Sequence, residues 1–386
     1  MKKSNPRRQF ILHSLSAMAG LTLPLGLGNT KPLRYKEIRF KNSSGNNVKP
    51  SIKFSVIGLN HGHIYGQVEA LIQGGGELTS FYAPEKELVQ QFSKRYPQAK
   101  LARSEKEILE DPSIQLVTSA SIPVDRAPLG IRVMQHGKDY MVDKPGIISL
   151  DQLKEVKRVQ KETRRMYSIM YSERLGNKAS IKIGELIQAG AIGQVIQTIG
   201  LGPHRMNIKS RPSWFFDKKY YGGIICDIGS HQCDQFLYYT QSTSAEVVSS
   251  QTGNVHYPQY PAFEDFGDLI VRGNGGTGYI RVDWFTPDGL KTWGDGRLTV
   301  LGTEGYIEAR KYIDIAGREG GNHVFLVDGK ETKYIDCSDQ HLPYGEQLVF
   351  DVVNRTETAM AQTHCFLATE LALKAQATAQ KLKLKK

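Results

Sequence analysis

Short apolar runs alternate with amphipathic stretches in a regular beat from residue 53 onward. Residues 53–59 (KFSVIGL) read as an apolar strand and 64–73 as a helix. A second strand follows at 77–83 (ELTSFYA), then a helix over 84–96 opened by Pro84, which suits the first helical turn. Strands at 114–121 and 139–142 and helices at 124–136 and 149–162 continue the series. Strands that alternate with helices in this way predict a parallel sheet covered on both faces. Past Met170 the beat changes. A helix at 179–189 leads to a strand at 194–201, a long irregular segment at 202–221 and a helix from about Asp227. Strands then dominate, at 245–254, 264–272, 277–285, 297–302, 305–313 and 323–336, several joined by glycine turns such as Gly273-Asn274-Gly275-Gly276. Strand after strand predicts a largely antiparallel sheet with one face free. Helices at 344–354 and 358–380 close the chain.

The expected architecture is α/β. A Rossmann-like parallel sheet occupies 51–172, with ligands expected at the C-terminal ends of its strands. An α+β domain with a large, mostly antiparallel open sheet follows at 173–357, and a helix with a basic tail fills 358–386. A length of 386 residues fits two domains behind a short leader. The net charge of +11 suggests nucleic acid until it is located. Ten Lys or Arg and one Glu fall in residues 1–50 and four Lys in the last six residues, so the body between is slightly acidic. That distribution excludes a basic nucleic-acid groove. Residues 1–30 pair Arg7-Arg8 before Gln9-Phe10-Ile11 with an uncharged run from Leu15 to Thr30, the order of a twin-arginine signal peptide. The run is too short and weak for a lone membrane span, so the mature chain is expected to have none and to be periplasmic or otherwise exported. Residues 31–50 are polar and read as a linker. Cys226 and Cys233 lie about 10 Å apart along a helix, too far for a disulfide, and no Cys-x-x-Cys pair exists for a zinc ribbon.

Three constellations carry chemistry. The first strand ends in Gly58-Leu59-Asn60-His61-Gly62-His63, where a dinucleotide fold places its phosphate turn. Asn60 and His63 stand where the second and third glycines of G-x-G-x-x-G belong. Asn tolerates positive φ, so a tight turn is expected to survive at Asn60. The acid expected to end the second strand is replaced by Ala83-Pro84, with Glu85 beyond. His61 and His63 read as a structural turn or as two metal ligands without a third, and no metal is expected. Ser121 and Pro123, at the end of the 114–121 strand, are expected to complete the cofactor edge. The second constellation is Asp143-Lys144-Pro145 at the end of a parallel strand. There a lysine can stabilise an alkoxide, or simply form a surface salt bridge. The third is Gly222-Gly223 followed by Asp227, His231 and Asp234, spaced to share one helix face. An acid beside His231 would fix its tautomer and make it a general base, unless the three merely decorate a solvated face. The segment 171–216 offers Tyr171, Glu173, Arg174, His204, Arg205, Trp214 and Phe215 as hydroxyl partners and an aromatic platform, or as ordinary loop residues.

Gly58–Gly66 after a first strand, Asp143-Lys144-Pro145, and Gly-Gly-x-x-x-Asp-x-x-x-His at 222–231 together resemble the three landmarks of the Gfo/Idh/MocA oxidoreductase family. Gly137-Lys138 and Val300-Leu301-Gly302-Thr303-Glu304-Gly305 add to the likeness, which spans roughly 52–380. The resemblance implies that Lys144, Asp227 and His231 line the catalytic site. It implies a cofactor, NAD or NADP, tightly bound at Gly58, Asn60, His61, Gly62, His63, Ser121, Pro123, Asp143 and Lys144. It further implies a small carbohydrate substrate met by Tyr171, Arg174, His204, Arg205, Trp214 and Asp234. The family motif begins with Glu where this chain has Asp143. The implied activity is hydride transfer on a sugar, polyol or sugar derivative. Two alternatives are a redox-neutral NAD-dependent glycoside hydrolase and a non-catalytic carbohydrate-binding relative that has lost the cofactor. The open sheet is expected to pair copies of the chain into a homo-oligomer.

Overall fold

The computed structural model describes residues 51–384. The expected leader at 1–30, the linker at 31–50 and the last two residues of the basic tail lie outside the described residues. Six strands, β1 (Ile52–Ile57), β2 (Gly76–Tyr82), β3 (Lys100–Leu101), β4 (Leu116–Ser119), β5 (Asp139–Asp143) and β6 (Tyr167–Met170), form one sheet in the order β3-β2-β1-β4-β5-β6. Every neighbouring pair is parallel. The connections are α1 (His63–Gln73), α2 (Lys86–Arg95), α3 (Glu105–Glu110), α4 (Pro123–Gln135) and α5 (Leu150–Thr163). β4, β5 and β6 are buried along their whole length, as a sheet covered on both faces requires. Strand order reverses between β1 and β4, and this opens a crevice at their C-terminal ends. The sequence pattern missed β3 and α3, which are too short for their periodicity to register.

The second half opens with α6 (Ser172–Leu175) and α7 (Lys178–Gln188), then β7 (Val195–Pro203) and α8 (Lys218–Tyr221). A π-helical turn, Ile225–Gly229, runs directly into α9 (Ser230–Thr240), where the pattern had predicted a plain helix. Strands β8 (Ala245–Gly253), β9 (Phe266–Gly273), β10 (Gly276–Asp283), β11 (Arg297–Gly302), β12 (Gly305–Arg310), β13 (His323–Asp328) and β14 (Thr332–Asp336) follow. Last come α10 (Tyr344–Asn354), α11 (Gln362–Thr378) and β15 (Gln380–Lys381). The run predicted as one strand at 323–336 is a hairpin, β13 against β14. The nine strands order as β14-β13-β12-β11-β7-β10-β9-β8-β15, antiparallel except β7 with β10 and β8 with β15. Helices α7, α9 and α11 cover one face. The other exposes Ile196, Val248, Ile270 and Leu301. Among the described residues no helix is long and apolar enough to cross a membrane.

The two sheets share one continuous core that joins Phe54 and Val142 of the first to Ile225, Phe236 and Leu269 of the second. Helix α10 returns to pack on α1, where a side chain at Gly345 would collide with the Ala70 carbonyl at 1.9 Å. The C-terminal ends of β1, β4 and β5 therefore face the start of α9 across a fixed gap.

Candidate active site

The turn after β1 needs glycine only at Gly58, whose φ is +86° and whose absent Cβ would lie 2.6 Å from the Ser121 Cβ. Asn60 is not among the residues with positive φ, so the turn closes without the left-handed residue expected there. Its side chain instead reaches sideways, and its Nδ2 donates to Glu85 Oε1 at 2.7 Å. The other Glu85 oxygen is buried without a partner at the end of β2. No side chain caps the N-terminus of α1, and the space a Cβ at Gly62 would enter is open. A helix start with no side-chain cap beside open space, with an acid at the next strand end, fits a dinucleotide's phosphates and ribose.

His61 and His63 turn away from that space. Their Nδ1 atoms bond the two oxygens of Asp143 at 2.6 and 2.9 Å. Arg126, 1% exposed, meets the same carboxylate at 3.0 Å and also donates to the carbonyls of Ser121 and Lys144. Burial alone would raise the Asp143 pKa, but His63, Arg126 and His61 hold it well below the usual carboxylate range. Burial, with His63 beside it, lowers His61 to about 4. His61, His63 and Asp143 also bring three metal-ligating atoms within 4.8 Å of one another. Asp143 is thus the third donor that the spacing of the two histidines did not supply.

Across the gap, Lys144 Nζ donates to Asp227 Oδ1 at 2.9 Å. Burial would raise Asp227, and Lys144 outweighs it and lowers its pKa. His231 lies beside this pair, but its partner is not Asp227. Its Nδ1 is buried with no partner, so no carboxylate fixes its tautomer. Burial drives His231 down to about 3, and the ring is neutral near pH 7. The expected Asp–His couple is replaced by a Lys–Asp couple next to a neutral imidazole, because Lys144 claims Asp227 first. Glu173 sits behind His231. It accepts from Lys311 Nζ and Gln232 Nε2, both at 2.9 Å; burial opposes its ionisation, and the Lys311 ammonium outweighs burial and holds it at about 2.

These groups surround a cavity of about 450 Å³. Of the residues expected at the site, Asn60, His61, Gly62, His63, Pro123, Lys144, His204, Arg205, Trp214, Asp227 and His231 line it. Trp284, Trp293 and Tyr312 add an aromatic wall, with the His204 ring 4.5 Å from Trp293. Burial lowers His204 to about 4. Three residues expected at the substrate lie elsewhere. Arg174 forms a two-point ion pair with Asp234 at 2.6 and 2.7 Å, and His364 closes the other side of Asp234 at 2.8 Å. Both partners are consumed by each other inside the core. Tyr171 bonds Thr369 at 2.9 Å and packs its ring edgewise on His231, supporting that residue rather than facing the cavity. Ser121 lies beneath the turn, and its carbonyl takes Arg126. Arg211, stacked on Phe215 and Trp284, was missed, and nothing in an irregular segment marks it. Lys311 was legible. Ile307 and Ala309 alternate inward on β12, and Lys311 is the next inward position, a buried cation that demands a partner.

Residues 52–171 match the oxidoreductase family, NAD-binding Rossmann fold, and residues 181–308 match the GFO/IDH/MocA C-terminal domain. A crystal structure from Erwinia carotovora atroseptica SCRI1043, designated an oxidoreductase, is 46% identical, covers 86% of this chain and all of its own, and superposes with a TM-score of 0.84. The scyllo-inositol 2-dehydrogenase (NAD(+)) of Bacillus subtilis (strain 168) is 26% identical over 73% of this chain and 79% of its own length. A 3-ketoreductase from Actinomadura kijaniata, solved with NADP, shares the fold at a TM-score of 0.70 and 14% identity, covering 87% of this chain and 100% of that one.

Proposed function

The chain belongs to the GFO/IDH/MocA oxidoreductase family, and we propose that it moves hydride between NAD and a hydroxyl-bearing carbon of a sugar, polyol or sugar derivative. The observation that carries this reading is the Lys144–Asp227 pair beside neutral His231 on the wall of a cavity that also holds the open phosphate turn. Bound there, the nicotinamide supplies a hydride acceptor or donor. The protein supplies the proton chemistry. His231 takes the hydroxyl proton as the carbon loses hydride, and the Lys144 ammonium, aimed by Asp227, stabilises the oxygen as it gains charge. The aromatic wall of Trp214, Trp284 and Trp293 offers apolar faces to a sugar ring, and His204 and Arg205 offer polar contacts. The carboxylate of Glu85 at the end of β2 favours NAD over NADP, since a ribose hydroxyl would donate to it whereas a 2′-phosphate would be repelled. The alternative of a non-catalytic carbohydrate-binding relative that has lost the cofactor is disfavoured by the uncapped start of α1 and the acid Glu85 at the end of β2.

On this reading the paired Arg7-Arg8 leader exports a chain already folded around its cofactor, which must then be tightly held and reset in place. The apolar side chains on the open face of the large sheet support pairing with a second copy. The test is to denature protein exported through its own leader and identify released dinucleotide by mass spectrometry. Sugars, polyols and glycosides are then offered with and without an external electron acceptor. Reduced nicotinamide that depends on a sugar or polyol supports the proposal. Glycoside cleavage with no net reduction would replace it with redox-neutral hydrolysis, and a protein that neither carries nor binds dinucleotide would end it.

A further inference from the structure

The reaction above makes no use of the two histidines that share Asp143. Their rings stand 4.1 Å apart between centroids, each with its Nδ1 on a different oxygen of one buried carboxylate. An ionised carboxylate can only accept, so both Nδ1 atoms carry their protons. A ring so bonded, when it carries a single proton, has its remaining nitrogen, Nε2, as a bare acceptor. One acid thereby sets the tautomer of two imidazoles and leaves two acceptors side by side on the cavity wall.

Charge decides what such a pair can hold. Asp143 is matched by Arg126 at 3.0 Å, Asp227 by Lys144 at 2.9 Å and Glu173 by Lys311 at 2.9 Å. A divalent cation would enter with no anion left to balance it, beside a guanidinium and an ammonium. Two hydroxyl donors need no such balance. Position decides which hydroxyls. Glu85 lies at the end of β2, on one side of the phosphate turn, and Asp143 with its histidines at the end of β5, on the other. A dinucleotide with its phosphates on the α1 N-terminus and its adenosine ribose at Glu85 lays its second ribose toward β4 and β5.

We propose that His61 and His63 form a clamp for a vicinal diol, their Nε2 atoms accepting from the 2′- and 3′-hydroxyls of the cofactor's second ribose. This rests on the dinucleotide reading given above. It also gives His63 a task at a position where the fingerprint has glycine, since its ring leaves the helix–sheet contact and crosses the end of β4. A sugar substrate offers the same diol chemistry, so the test must separate the two sources.

Calorimetry on the full chain, stripped of nucleotide with charcoal, compares NAD with ADP, which lacks the second ribose. In the His61→Ala/His63→Ala variant NAD should bind about 10- to 100-fold more weakly, the loss of two hydrogen bonds, while ADP binds as before. His63→Ala alone should show part of that loss, and unchanged ADP affinity certifies the fold. Unchanged NAD affinity in the double variant overturns the clamp. So does an equal loss for NAD and ADP, a loss confined to sugar affinity, or stoichiometric metal that vanishes with the two rings. If the wild type binds ADP but not NAD, the clamp alone fails. If it binds neither, the oxidoreductase reading fails with it.

Discussion

Asp227 and Asp234 lie seven residues apart on one unbroken helical stretch, and each holds a basic side chain contributed by a distant part of the chain. Asp227 takes Lys144 with one oxygen and keeps its place on the cavity wall. Asp234 takes Arg174 with both oxygens, adds His364, and is wholly buried beneath α6 and α11. Residue type and pairing are nearly the same. What differs is whether the pair is left with an unfilled side. At Lys144 the spare N–H groups of the ammonium adjoin a space that a substrate can enter, whereas the Arg174–Asp234 fork is filled by protein alone. A buried ion pair by itself does not mark a catalytic site, and the proposed role of Lys144 rests on the unfilled side.

The largest expected effects break this comparison from both ends. Lys144→Ala and His231→Ala should each cut turnover at least about 100-fold while leaving the melting temperature near that of the wild type. Arg174→Ala should do the reverse. It strands a buried carboxylate and is expected to cost about 3–5 kcal/mol of stability, read as a lowered denaturation midpoint. Turnover per folded molecule should survive. If Arg174→Ala folds normally but is inactive, or Lys144→Ala unfolds, the division between the two pairs is wrong.

How much of this was legible follows from which signals are local. The alternating elements of the first half, the antiparallel run of the second and the motif residues Lys144, Asp227 and His231 are all written in short windows of sequence. The spacing of Asp227, His231 and Asp234 predicted one shared helix face, but only Asp227 and His231 reach the cavity, and no spacing reveals that α6 and α11 close over Asp234. Arg174 and His364 come from 60 and 130 residues away from Asp234, so their claim on it is a tertiary fact. The same holds for Lys144 claiming Asp227 ahead of His231, and for Asp143 gathering two histidines about 80 residues upstream. The broken glycine fingerprint misled for a simpler reason. Only Gly58 carries the strained φ, and the missing acid of the second strand is Glu85, held back toward the turn by Asn60.

Acid titration sharpens the same comparison, because the two clusters fail in different windows. His231 has an unfolded pKa near 6.5 and a folded value of about 3, so the unfolded chain binds the extra proton first. Its contribution to instability starts as pH falls below 6.5 and grows until about 3, reaching roughly 3 kcal/mol by pH 4. Asp234 has a folded pKa of about 2 against 3.8, so the stability it gives is intact above 3.8 and is lost as pH falls toward 2. Denaturation midpoints measured from pH 7 to pH 4 should therefore drop in the wild type and drop less in His231→Gln. Parallel curves for the two proteins would show that burial of His231 carries no such cost.

Glu85 stands between the two aspartates in kind and should give the smallest effect. One of its oxygens is filled by Asn60, as both are at Asp234, and the other is buried and unpartnered. If an unfilled side marks a ligand contact here too, Glu85→Gln should leave folding within about 1 kcal/mol, since the amide oxygen can still accept from Asn60. Affinity for NAD should fall by about 10-fold, the value of one charge-assisted hydrogen bond to a ribose hydroxyl. NADP should lose nothing and gain relative to NAD, because the repelling charge is gone. The ratio of the two dissociation constants is the reading to trust, since it cancels any general change at the turn. A ratio unmoved by Glu85→Gln would mean that the free oxygen faces no ribose. The orphaned acid would then be a cost borne by the fold alone, and an unfilled side would lose its value as a guide at the one position where no motif supports it.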